Sequence, residues 1–243
     1  MSTAPTAPTG TDAPVAIVTA AGSGIGRGIA GELAQRGYRL SLLSRGENVR
    51  ALAEELGATA TVGSLTSPED LQRLVDDTLR THGRIDAVVN GCGHTAQDEL
   101  LKVTDEMWHQ GLDMVLLSVA RMARLVTPHM LQRGTGAFVN ISSYTAFEPM
   151  GLIPVNSSLR AALSSFTKLY ADQYAAHGLR MNALLPGFVD SHPETEEFLA
   201  RIPAGRYATT AEIGKLAAFL ISDDAAYING ESLRIDGGAA RSL

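Results

Sequence analysis

Four glycines at alternate positions, Gly22, Gly24, Gly26 and Gly28, follow closely on the apolar run Val15-Ala-Ile-Val-Thr19. A glycine has no Cβ, so its backbone can come close to a ligand. A turn of this kind between a buried strand and a helix presents N–H groups at the helix N-terminus, where a pyrophosphate binds. The residues after the turn fit a helix, because Ile25, Ile29 and Leu33 share one stripe. Thr19, Gly22, Ser23, Gly24, Ile25 and Gly26 are therefore candidates for contact with a dinucleotide. The spacing reads Thr-Ala-x-x-x-Gly-x-Gly from Thr19 to Gly26, which is not the Gly-x-Gly-x-x-Gly fingerprint. About 20 residues further on, where a carboxylate would hold the ribose 2′-hydroxyl of NAD, the chain has Ser44-Arg45 and no acid. A carboxylate would repel a 2′-phosphate, whereas a guanidinium can clamp it. Ser44 and Arg45 thus favour NADP(H) over NAD(H).

The elements that must hold such a site can be read in order. Strands are expected over Val15–Thr19, Arg39–Ser44, Thr59–Val62, Ala87–Asn90, Ala137–Ser142, Arg180–Leu185 and Ser232–Ile235. Helices are expected between them, over Ile25–Arg36 and Glu47–Leu56, from the Ser67 cap to about Thr81, from the Thr104 cap to about Arg133, over Val155–His177, and from the Thr209 cap to Ile221. Ser67-Pro-Glu-Asp70 is a helix start, with a capping serine, a first-turn proline and acids at the positive end of the dipole. Pro128 predicts an interruption of the fourth helix. Strands alternating with helices predict an α/β protein, a Rossmann-like doubly wound parallel sheet of about seven strands with helices on both faces. Ligands of such sheets bind at the carboxyl ends of the strands.

Composition narrows the function classes. The 243 residues, 45% hydrophobic and 19% charged, suit one globular domain. Residues 14–243 are read as that domain. Residues 1–13, built of Ser, Thr, Ala, Pro and Gly with one Asp after the first Met, are expected to be a disordered tail rather than a signal peptide. A net charge of −6 without a basic block argues against nucleic acid. No apolar run reaches spanning length, which argues against a membrane. The single cysteine, Cys92, permits no internal disulfide and suits a reducing cytoplasm.

Along this framework the chain resembles the short-chain dehydrogenases/reductases, from Val15 to Gly238. Thr19 to Gly26 is similar to their Thr-Gly-x-x-x-Gly-x-Gly, with Ala20 for the first glycine. Asn90-Gly-Cys-Gly93 resembles Asn-Asn-Ala-Gly, and Asn140-Ile-Ser-Ser143 resembles the fifth-strand end that carries the active-site serine. Arg180-Met-Asn-Ala-Leu-Leu-Pro-Gly187 resembles the sixth-strand end that closes over the nicotinamide, and Ile235-Asp-Gly-Gly238 the C-terminal signature. The resemblance implies cofactor contacts at Asn90, Gly91, Cys92, Gly93, Pro186, Gly187 and Val189, and near the adenine at Ser64 and Leu65. Ser64 stands where the family often has an aspartate. The resemblance further implies a substrate lid near 190–207, and a homodimer or homotetramer paired through the two long helices.

The resemblance also implies a catalytic set, from which this chain departs. The family has a tyrosine about thirteen residues after the serine, a lysine four residues later, and often an asparagine on the preceding long helix. Here Ser143 is followed by Asn156 and then Arg160, and the asparagine position falls on Val115. A carboxamide does not titrate near neutrality, so Asn156 cannot act as acid or base. Arg160 stays cationic and can hold a ribose or an anionic substrate. Losing a positioned acid removes ~10²–10⁴ in rate. Tyr144, His94 and Glu148 are the candidate replacement acids. Tyr170 lies fourteen residues beyond Asn156 on the same helix, roughly 21 Å away, and is excluded. Cys92 reads as a small buried residue rather than a nucleophile. Three functions stay open: an NADP(H)-dependent oxidoreductase acting on a carbonyl or alcohol with an altered site, a repurposed lyase, isomerase or cyclase, and a non-catalytic cofactor-binding protein.

Overall fold

A computed structural model describes residues 12–242. Its centre is a sheet of seven parallel strands: β1 Val15–Thr19, β2 Arg39–Ser44, β3 Thr59–Val62, β4 Ala87–Asn90, β5 Gly136–Ile141, β6 Leu179–Pro186 and β7 Ser232–Ile235. The strand order is β3-β2-β1-β4-β5-β6-β7, and every neighbouring pair is parallel. The order reverses between β1 and β4, so a crevice opens outside their carboxyl ends. The expected doubly wound sheet is the one found.

The central strands are continuous apolar runs because helices cover both faces. Side chains alternate across the sheet. Ala16 and Val18 of β1 lie in one core with α1 (Gly24–Gln35), α2 (Asn48–Leu56) and α8 (Thr210–Ile221). Ile17 lies in the other core with α3 (Pro68–His82), α5 (Ser118–Arg133) and α6 (Pro154–Tyr174). A third, small cluster joins Cys92, Val115, Val119, Leu159 and Leu163 beneath the β4 loop. The caps expected at Ser67, Thr104 and Thr209 are present, each accepting the backbone N–H three positions on.

Several boundaries differ from the sequence expectation. The long fourth helix is not broken at Pro128, which lies inside α5. Pro128 and Arg124, whose carbonyl the proline leaves without a donor, are both exposed, so water can satisfy that carbonyl. The irregularity comes earlier, as a π-turn at Asp113–Leu117 between α4 (Asp105–Leu112) and α5. The combined run Asp105–Arg133 is long and apolar enough, by length and composition alone, to cross a membrane, contrary to the expected absence of such a run. It carries an Asp113–Arg121 ion pair at 2.5 Å and packs Met122, Val126 and Met130 into the sheet, as a core helix does. Most of the expected tail lies outside the described residues. Its last residue, Ala13, is buried and its carbonyl accepts from Arg39, so the ordered domain reaches back at least that far.

Candidate active site

The glycine turn is shaped by close backbone approaches. A Cβ on Gly26 would stand 2.2 Å from the Ala20 carbonyl oxygen, and one on Gly22 would stand 2.7 Å from Ser44 Oγ. Gly28 has a different use: its missing Cβ lets α1 cross α8 against Thr210. Ala20 sits at φ +52°, where the family has glycine, and is the one non-glycine residue with positive φ among those described. That conformation costs an L-residue roughly 1–2 kcal/mol. Ser23 precedes α1 without a side-chain cap, and the first turn of α1 holds no acid. Its N–H groups therefore face the crevice with no competing anion.

At the end of β2, Ser44 lies against the turn. Arg45 is exposed and makes no hydrogen bond or ion pair with a described residue. The nearest acid in sequence, Glu47, is engaged with Arg50 at 2.7 Å. Asn48, which the sequence reading passed over, donates to the Gly22 carbonyl at 2.6 Å and roofs the turn. Ser64 bonds Thr66 Oγ1 at 2.7 Å, and its N–H is taken by Asp70. Leu65 packs into the core of α3 and α5.

At the switch point the ends of β1 and β4 are stitched together. Thr19 Oγ1 donates to the Gly91 carbonyl at 2.9 Å and accepts from the Gly91 N–H at 3.0 Å. The Asn90 amide is committed inward, donating to Asn140, which donates to Thr167 on α6. What remains for a ligand at Asn90–Gly93 is backbone and the half-buried Cys92. Gly93 lies open, its nearest neighbour being Met114 Sδ. Arg160 crosses from α6 to this turn: its guanidinium donates to the Ile141 carbonyl and, at 2.8 Å, to Cys92 Sγ. Arg160 is only 6% exposed, and among the described residues it has no carboxylate partner and its Nε no acceptor. A buried cation without a counter-ion is costly.

Ser143 begins the 3₁₀ turn Tyr144–Ala146. Its Oγ accepts from Thr145 N at 3.2 Å and Thr145 Oγ1 at 2.9 Å, which leaves its own O–H free to donate outward. Thr145 Oγ1 also reaches Asn156 Oδ1 at 3.3 Å. The structure thus brings Ser143 and Asn156 to either side of Thr145, a residue that no motif or spacing marks out. Asn156 is half-buried, and its amide N–H groups donate to no described residue. Val115 is fully packed in the third cluster and supplies no polar group.

The candidate acids separate. Tyr144 is buried and donates to Met150 Sδ at 3.2 Å, with its ring against Phe188 on the lid side. Burial raises its pKa above the usual phenol value. Glu148 accepts the backbone N–H groups of Arg241 at 2.6 Å and Ser242 at 3.0 Å, so it holds the C-terminal tail. His94 packs edge-on against His192 of the lid at 4.9 Å between centroids. Partial burial first, then the neighbouring His192 and Arg160, lower its pKa below the ordinary 6.5.

The lid leaves and returns at one place, where Val189 bridges Ala208. It is less loop-like than expected, with a short helix α7 (Glu196–Leu199) and an aromatic packing of Phe188 on Phe198 and Tyr207. Pro186 ends β6, and the Gly187 N–H donates to Ile235 O at 3.0 Å. A Cβ on Gly187 would meet Asp236 Cα at 2.9 Å, so the C-terminal signature backs this turn.

Buried side-chain atoms without a partner cluster at this end of the sheet. Apart from His82 Nε2, those of the described residues are Thr95 Oγ1, Ser142 Oγ, Arg160 Nε and Tyr207 Oη, on the β4 loop, the β5 end, α6 and the lid. Buried polar groups normally have partners. This pattern, with the open α1 N-terminus and the Gly26 approach, fits an extended polar ligand along the crevice.

Comparison with known proteins agrees with this geometry. A family model described as enoyl-(acyl carrier protein) reductase matches residues 19–240. The chain is 37% identical over 246 residues to dehydrogenase/reductase SDR family member 4 of Oryctolagus cuniculus, covering 94% of each. It is 32% identical over 234 residues to the 3-oxoacyl-(acyl-carrier-protein) reductase FabG of Escherichia coli, covering 92% of this chain and 96% of that one. Among solved structures, L-sorbose reductase from Gluconobacter frateurii, complexed with NADPH and L-sorbose, superposes with a TM-score of 0.87 at 26% identity, over 95% of this chain and 98% of that one.

Proposed function

Because the chain belongs to the short-chain dehydrogenase/reductase family, we propose that it is an NADP(H)-dependent oxidoreductase acting on the carbonyl or alcohol of a small molecule. The observation that carries the cofactor choice is Arg45, an exposed, unpaired cation at the end of β2 with no free carboxylate beside it. The solved neighbour's complex with NADPH supports the same choice. Thr19, Gly22, Ser23, Gly24, Ile25 and Gly26 would hold the pyrophosphate, and Ser44, Arg45 and Asn48 the 2′-phosphate end. Ser64 and Leu65 would border the adenine. The backbone of Asn90–Gly93, with Arg160, would hold the nicotinamide ribose, and Pro186, Gly187 and Val189 would back the ring. When bound, the dinucleotide supplies or accepts the hydride.

The chain's own residues then orient the substrate. Ser143 donates its free O–H to the carbonyl oxygen, polarised by the two donors it accepts from Thr145. Asn156 adds a neutral N–H donor beside it. Neither Asn156 nor Arg160 can exchange a proton near neutrality. His94, on the β4 loop and lowered in pKa, is our choice for that exchange over Tyr144, which is buried and directed at Met150, and Glu148, which holds the tail. The absence of a titrating group at Asn156 and Arg160 also favours a second reading, in which the same pocket runs a lyase, isomerase or cyclase reaction without net hydride transfer. The single cysteine suits work in a reducing compartment.

Dissociation constants for NADPH and NADH, measured on wild type and Arg45→Ala, test the cofactor assignment. Losing a charge-assisted contact of about 1.5–3 kcal/mol should weaken NADPH roughly tenfold to a hundredfold and leave NADH nearly unchanged. An unchanged ratio overturns the assignment. A ketone panel tests the reaction: NADPH consumption supports hydride transfer, and product without cofactor change supports the second reading.

A further inference from the structure

A cleft of about 530 Å³ opens between the segment that begins with Tyr144, the residue after Ser143, the lid and the C-terminal tail. Its apolar wall includes Tyr144, Phe147 and Met150, and its rim carries Arg201 from the lid and Arg241 from the tail. Nine other arginines pair with carboxylates. Arg201 and Arg241 are exposed, and their guanidinium groups pair with no described residue.

Of the acids close to this cleft, Glu148 lines it and is bonded through one carboxylate oxygen only, so the lining holds two arginines against one carboxylate. Glu148 accepts the Arg241 and Ser242 N–H groups, and Asp236 accepts those of Gly238 at 3.0 Å and Ala240 at 2.9 Å. Tyr144 directs its hydroxyl at the sulfur of Met150, a weak acceptor that an anionic oxygen would outcompete. The cleft therefore combines an apolar wall, two uncommitted cations and an O–H donor in a volume suited to a small ligand.

We infer that this cleft binds the acidic end of the substrate, a carboxylate or phosphate on an apolar stem whose carbonyl reaches Ser143. The inference rests on the oxidoreductase reading and narrows its substrate to anionic oxo compounds. Arg201 and Arg241 are its specificity residues. Because Arg201 lies on the lid, an anion in the cleft also ties the lid to the tail.

The test uses the NADPH-loaded protein and three probes of similar size: 4-acetylbenzoate, 4-acetylphenyl phosphate and the neutral 4′-methylacetophenone. Calorimetry should show at least one anion binding about tenfold or more tightly than the neutral ketone, and the tighter anion identifies the acidic group. Arg201→Gln with Arg241→Gln should abolish that preference while NADPH affinity stays unchanged. Arg201→Gln alone should remove part of it. Equal binding of neutral and anionic probes, no binding of either anion, or a preference that survives the double substitution overturns the inference. NADPH consumption is read separately. Arginine-dependent anion binding without consumption of any ketone would sink the oxidoreductase reading and leave the anion site standing. Reduction of ketones without an anion preference would do the reverse.

Discussion

Arg160 takes a position where a lysine would be expected and turns it into a fixed strut. Its guanidinium spans the Ile141 carbonyl and Cys92 Sγ, so two of its nitrogens bond the wall of the site and Nε is the one left for a ligand. Asn156, one helical turn earlier, is half-buried, and its amide N–H groups bond no described residue. Restoring the family pair, Asn156→Tyr with Arg160→Lys, should therefore cost about 1–3 kcal/mol of stability through the lost guanidinium bonds and leave the fold intact. If hydride transfer is the native chemistry, the double variant should raise NADPH-dependent ketone turnover by ~10²–10⁴. Asn156→Tyr alone should gain less, because Arg160 would stay bonded to Cys92 instead of lowering the phenol's pKa. Turnover no higher in the double variant than in wild type would remove the lost-acid account. The serine, asparagine and arginine of this set were legible as spacings. Thr145, Asn48 and Met150 were not, because each acts through a side-chain bond between segments that only the folded chain brings together.

At the scale of elements, the lid is held by aromatic packing at its base and by an imidazole pair at its edge. The pH response follows from the sign of the His94 shift. A folded pKa below the ordinary 6.5 means that the unfolded chain protonates first, so stability is lost as pH falls through about 6.5 towards the depressed value, and nothing changes above it. Protonation also places a cation 4.9 Å from His192 and near Arg160. Hydrogen exchange across 190–207, corrected for intrinsic rates, should therefore speed up between pH 7.5 and 5.5, and His192→Gln should flatten that rise. A wild-type lid whose exchange ignores pH would show that the pair does not restrain it. The strands were legible because buried parallel strands are short apolar runs, and most helices because their caps and stripes agree. The π-turn at Asp113–Leu117 was not, since Val115 within it packs against Leu159 and Leu163 of α6, which only the folded chain brings together. Pro128 misled for the complementary reason: a proline facing solvent removes a bond that water replaces.

For the whole molecule, the outer surfaces of the two long helices keep apolar residues in water. Leu117 and Leu131 on the run ending in α5, and Leu169 on α6, are exposed, Leu169 at 64%. We propose that these faces pair in a homodimer or homotetramer. Light scattering at micromolar concentration should give at least twice the 25.7 kDa chain mass, and Leu169→Arg should shift the population toward monomer. A monomeric wild type would refute the pairing. The tail held by Glu148 has a practical consequence for anyone preparing this protein. Arg241 lines the cleft and Ser242 is bonded just behind it, so a purification handle joined directly to this segment would start within a residue or two of that cleft. The described chain enters ahead of Val15, at the opposite end of β1 from the glycine turn. Binding and activity assays should therefore use a front-end handle, and a silent preparation carrying a rear one should be remade before its inactivity is believed.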